Sequence, residues 1–79
     1  MAASLSEVIS YHRRKSGLTQ QELAALAGVG KNMIYQLEHG KQSIRLDILL
    51  KILTVLNITI DFQSPLMASL YEENHNADS

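Results

Sequence analysis

Apolar residues recur at helical spacing along most of the chain, then give way to alternation. Leu5, Val8, Ile9 and His12 mark one face of a helix that Ser4 and Glu7 open as a capping box and that runs to about Ser16, where Gly17 closes it. Thr19 with Glu22 repeats the start signal. The second helix carries Leu23, Leu26 and Ala24, the last small enough for another helix to cross closely over it. Gly28 stands where the chain must take a positive φ to leave that helix, and Gly30 offers a permissive cap for the next. Ile34 and Leu37 then face back toward Leu23 and Leu26, and Gly40 stops the third helix. After a loop from Lys41 to Arg45, a fourth helix is expected from about Leu46 to Leu56, with Asp47 in its first turn. Its apolar residues cover nearly the whole circumference, so it should be buried on more than one side.

Beyond Asn57, a helix terminator, Ile58, Ile60 and Phe62 alternate with Thr59 and Asp61. Period two with β-branched residues reads as a strand, ended by Pro65. A lone strand leaves its backbone donors and acceptors unpaired, which pairing with the same strand of a two-fold mate would remedy. Leu53, Leu56, Ile58, Ile60 and Phe62 are therefore the expected dimer contacts. Residues 63–79 are polar and acidic and read as a flexible tail, although Leu66, Met67, Leu70 and Tyr71 also fit a short helical turn. The expected fold is mainly all-α: four helices in a bundle plus one C-terminal β-strand pairing across a homodimer. Residues 1–62 form the working domain and 63–79 the tail.

At 79 residues, the chain has room for one small domain with a modest core. It has no cysteine, so no disulfide or thiolate zinc site can add stability, and oligomerisation is the remaining common remedy. The 46% hydrophobic content agrees with that remedy. No apolar run reaches membrane-spanning length and no secretion signal is evident, which makes a cytoplasmic, membrane-free protein the expectation. The net charge of −1 hides an asymmetry. Residues 1–45 carry six bases against three acids, whereas Glu72, Glu73 and Asp78 stand without a base in residues 65–79. A basic head suits a phosphate-binding face, although a charge run is more often only a solvated face.

The segment Thr19–Gly40, TQQELAALAGVGKNMIYQLEHG, has the layout of a DNA-reading helix-turn-helix. A recognition helix points its N-terminal residues at base edges. Lys31 and Asn32 lie in the first turn of this one, and Gln36 follows about one turn later. Asn and Gln can pair with adenine and Lys with guanine, so these three are the candidate base readers. Tyr35 shares their side and could touch a sugar, phosphate or thymine methyl, while Met33 sits at the edge of the core. Gln20 is placed to reach a phosphate beside a helix N-terminus. His39, Lys41, Ser43 and Arg45 are candidate backbone anchors. For each the plain alternative is a solvated polar side chain, with most weight at Tyr35, Ser43 and Arg45. Arg13 and Glu38 suit a partly buried ion pair between the first and third helices, whereas Arg14 and Lys15 read as solvated. An enzyme is disfavoured by the lack of a cysteine nucleophile, a glycine-rich phosphate loop and a convincing carboxylate pair. His12, His39 and His75 lack ligand spacing, so neither a metal nor a cofactor is expected.

Residues 5–58 resemble the Xre/Cro-like family that includes the lambdoid-phage repressors. The resemblance rests on Gln20, Ala24, Gly28, Ile34 and Leu37 at the family's spacing, followed by the turn Glu38-His39-Gly40-Lys41. It implies that Gln20 touches phosphate, that Lys31, Asn32 and Gln36 read bases, and that Arg13 pairs with Glu38. Gly30 departs from the Ser or Thr of many relatives, and the strand at Asn57–Phe62 replaces the usual fifth helix. That replacement, with RLDILLKILTVLNITIDF, resembles the short HipB-type antitoxins. These are dimeric repressors of their own operons that also restrain a HipA-type serine/threonine kinase toxin. The resemblance implies double-stranded DNA with an inverted-repeat operator, a second copy of the chain and such a kinase as partners. The alternatives are a stand-alone phage-type repressor and a protein-interaction module that has kept the motif as scaffold. The polar residues at the reader positions speak against the module.

Overall fold

A computed structural model describes residues 3–77 and contains five helices: α1 Leu5–Lys15, α2 Gln20–Ala27, α3 Lys31–Glu38, α4 Leu46–Val55 and α5 Met67–Ala77. Local chemistry sets the boundaries of the first four. The Ser4 hydroxyl accepts from the Glu7 N–H at 3.3 Å and starts α1. At α2 the capping box is complete: the Thr19 hydroxyl accepts from the Glu22 N–H at 3.0 Å, and the Thr19 N–H donates back to the Glu22 carboxylate at 2.8 Å. Gly28, at φ 71°, then turns the chain into α3. Asn57 ends α4 in the same left-handed conformation, at φ 57°, with the Ile58 N–H bonded back to the Leu53 carbonyl at 2.9 Å.

The core lies where these four helices meet. Ile9 comes from α1, Leu23, Ala24 and Ala27 from α2, Ile34 and Leu37 from α3, and Ile52, Leu53 and Leu56 from α4 and its cap. α2 packs against both α3 and α4, and α1 supports α3 from the other side. Ala24 is buried at the crossing, as its size requires.

Three expectations are corrected. First, the strand at Asn57–Phe62 is not formed. No β-ladder occurs among the described residues, because a ladder needs a second strand that this chain does not supply, and Asn57 is drawn into the α4 cap. Second, Leu53 and Leu56 are not available as dimer contacts. They are only 3% and 6% exposed and fill the protomer's own core; the apolar residues that α4 leaves exposed are Leu46 and Leu50. Ile58 is half-buried against the core, while Ile60 and Phe62 are exposed. Third, residues 63–79 contain α5 instead of an unstructured tail. The Ser64 hydroxyl accepts from the Leu66 N–H at 3.3 Å and Pro65 follows it, an order that starts helices. Among the described residues α5 adds no side chain to the core: Leu70 and Tyr71 stay exposed, as does Leu66 just before it. Asp78 of the acidic stretch lies outside the described residues.

Candidate nucleic-acid interface

α3 divides cleanly into two faces. Ile34 and Leu37 are buried, Met33 is half-buried, and Lys31, Asn32, Tyr35 and Gln36 are exposed. The apolar pair fixes the rotation of the helix, so the four polar residues share the outward arc.

Two shallow depressions adjoin this arc. One is lined by Arg13, Thr19, Gln20, Gln21 and Lys31, which brings the N-terminal turns of α2 and α3 together. The other is lined by Met33, Lys41, Ser43, Ile44, Arg45 and Ile48. Gln20 and Lys31 thus share one side, and Lys41, Ser43 and Arg45 share another. Gln21, which sequence reasoning passed over, lies beside Gln20 in the first turn of α2, and its place one residue into a capped helix was the available signal.

The pose of α3 is held from behind by a charged cluster. Arg13 donates from Nε to Glu38 Oε2 at 2.6 Å and from Nη2 to Glu38 Oε1 at 2.9 Å, and its Nη1 donates to the Leu18 carbonyl at 2.8 Å. The two side chains are only 14% and 4% exposed. Burial pushes the Glu38 carboxyl upward, but hydrogen bonds from Arg13, Gln20 and Ser10, with the Arg13 charge, outweigh it and hold the group below the ordinary carboxylate range. The same hydrogen bond, against the opposing effect of burial, raises the Arg13 guanidinium. Gln20 is part of this cluster: its Nε2 donates to Glu38 Oε1 at 3.3 Å, which leaves one amide N–H for any phosphate.

The remaining candidates are engaged locally. Tyr35 and His39 stack with ring centroids 3.9 Å apart, and the His39 Nδ1–H donates to the Tyr35 carbonyl at 2.7 Å. A carbonyl only accepts, so neutral His39 carries its proton on Nδ1 and presents a lone pair at Nε2. It can donate to a phosphate through Nε2 only as the imidazolium. Arg45 bonds Asp47 at 2.9 Å, but both side chains are largely exposed and such a pair contributes about 0–1 kcal/mol, leaving Arg45 available. Ser43 is exposed.

Lys41 was the anchor whose geometry sequence reasoning missed. Its Nζ donates to Gln36 Oε1 at 3.3 Å, and its backbone N–H donates to the Gln36 carbonyl at 3.0 Å. The signal was Gly40, which ends the helix at φ 96° and so returns the next residue over the last turn.

The model of the helix-turn-helix family matches residues 9–63. The chain is 35% identical over 63 residues, 80% of its length and 83% of the relative's, to the uncharacterized HTH-type transcriptional regulator y4mF of Sinorhizobium fredii (strain NBRC 101917 / NGR234). Among solved structures it is similar to a chain of the SinR protein/SinI protein complex, with a TM-score of 0.68 and 20% identity over 94% of this chain and 81% of that one. At that identity the likeness concerns the fold.

Proposed function

The chain belongs to the helix-turn-helix family of DNA-binding transcriptional regulators, and we propose that within it the protein is a sequence-specific repressor acting on operator DNA as a homodimer. The observation that carries this reading is the outward arc of α3. Lys31, Asn32 and Gln36 are exposed on it, with Tyr35 beside them, while Ile34 and Leu37 anchor the helix. Gln20, Ser43, Arg45 and His39 supply contacts to the sugar-phosphate backbone. A two-fold dimer presents two such helices about 34 Å apart, one turn of duplex, and so binds an inverted repeat.

The exposed apolar residues support the dimer. Leu46 and Leu50 on α4, with Ile60, Phe62, Leu66, Leu70 and Tyr71 further along the chain, are left for a second copy to cover. Sedimentation giving a stable monomer at micromolar concentration refutes this part.

The setting we favour is the antitoxin of a HipBA-like operon, on the resemblance of residues 45–62 to HipB-type antitoxins. Co-purification of a kinase encoded by the neighbouring gene supports it, and a chain that represses alone points to a phage-type repressor. For DNA reading itself, gel-shift titration of Gln36→Ala should show a loss of about 1–3 kcal/mol confined to one base position. Affinity should also fall steeply with added salt as counterions are released. Unchanged affinity in Gln36→Ala, Lys31→Ala and Asn32→Ala together would withdraw the assignment.

A further inference from the structure

Gln36 is the one reader whose side chain the protein itself holds, and the hold has a direction. Gly40 caps α3 in the left-handed conformation, with its own N–H bonded to the Leu37 carbonyl at 3.3 Å and the Lys41 N–H bonded to the Gln36 carbonyl at 3.0 Å. This paired cap returns the chain over the last turn and sets Lys41 above Gln36. From there Lys41 Nζ reaches Gln36 Oε1 at 3.3 Å. An ammonium has only donors, so the amide atom facing it must be the oxygen. Gln36 is thereby turned with its NH2 group as the free end.

We propose that Lys41 is a positioning residue for base selection, which makes Gln36 a reader of paired acceptors and so of guanine instead of adenine. The inference rests on the reading of α3 as the helix in the major groove. Adenine presents one acceptor, N7, and one donor, N6–H2, so the usual bidentate contact from Gln needs both its amide oxygen and its amide nitrogen. Lys41 fills one of the two acceptor positions of that oxygen and sets an ammonium charge beside the place an N6–H2 donor must occupy, so that contact is weakened. Guanine presents two acceptors, N7 and O6, which the two hydrogens of the Gln36 amide match. A contact with phosphate alone would give Lys41 no influence on base choice.

The test is selection of bound duplexes from a randomised pool by the full chain and by three variants. Gln36→Ala identifies the base pair that Gln36 reads, as the position where preference disappears. At that position the wild-type protein should favour guanine. Lys41→Met, an exposed substitution that leaves the core untouched, should shift the preference toward adenine by about tenfold. Lys41→Arg, which also has only donors, should keep guanine. A Lys41→Met variant that binds more weakly but selects the same base overturns the inference and leaves DNA reading standing, as does a wild-type preference for adenine. A wild-type protein that enriches no sequence overturns the reading of α3 and this inference with it.

Discussion

Substituting Glu38 by Ala tests how α3 is held in place. The change leaves the Arg13 guanidinium, 14% exposed, with the Leu18 carbonyl as its remaining partner and frees the Gln20 amide. Breaking a buried pair by deleting one member costs about 3–5 kcal/mol. Arg13 retains some contact with water, so a loss of about 3 kcal/mol is expected. That is a large part of the stability of a domain this small, and it corresponds to a fall in Tm of roughly 12–24 °C at about 4–8 °C per kcal/mol. Urea titration at neutral pH, followed by helical circular dichroism, measures it. The double variant Arg13→Met/Glu38→Leu should recover most of the loss, because an apolar pair carries no stranded charge. Acid supplies a second reading. The Glu38 carboxyl titrates below its ordinary value in the folded protein, so the pair's full contribution is present above the unfolded carboxylate pKa. It is lost as pH falls through the lowered folded value, and the gap between wild type and Glu38→Gln should close on acidification below about pH 4. A loss under about 1 kcal/mol, or a gap that does not change with pH, would refute the reasoning.

Thr19→Ala removes one half of the capping box on α2 and should cost about 1 kcal/mol in the same titration. Gly28→Ala meets no atom within 4 Å, so its cost of about 1–2 kcal/mol should come from the left-handed backbone alone. Leu53→Ala should lower protomer stability by about 2–5 kcal/mol, because Leu53 is core. Phe62→Ala, 75% exposed in the single chain, should instead weaken the proposed dimer, as read by sedimentation equilibrium.

The first four helices were legible because their signals are local. Ser4, Thr19, Gly28 and Asn57 act within one turn of their own position, and the Ile34–Leu37 spacing alone orients α3. What escaped needed non-local information. α4 is apolar over most of its circumference, and the stripe of Asp47, Lys51 and Thr54 that marks its exposed face was passed over; its packing against α2 shows that Leu53 and Leu56 point inward while Leu46 and Leu50 do not. The alternation at Ile58–Phe62 favours an extended chain, but a strand also requires a partner. α5 was outweighed by acidic composition, although Ser64-Pro65 and the spacing of Leu66, Leu70 and Tyr71 carried its start and stripe. On α3, the outward position of Lys31, Asn32 and Gln36 followed from its buried pair. The link from Lys41 to Gln36 did not: Gly40 signals that the chain returns over the last turn, but residue spacing does not show which side chain the lysine then meets.

Among the described residues, every fully buried apolar side chain falls between Ile9 and Leu56. Among the described residues downstream of Ile58, none belongs to the core or packs against it. Substitutions there can therefore change the exposed apolar residues Ile60, Phe62, Leu66, Leu70 and Tyr71 without touching the core that positions α3.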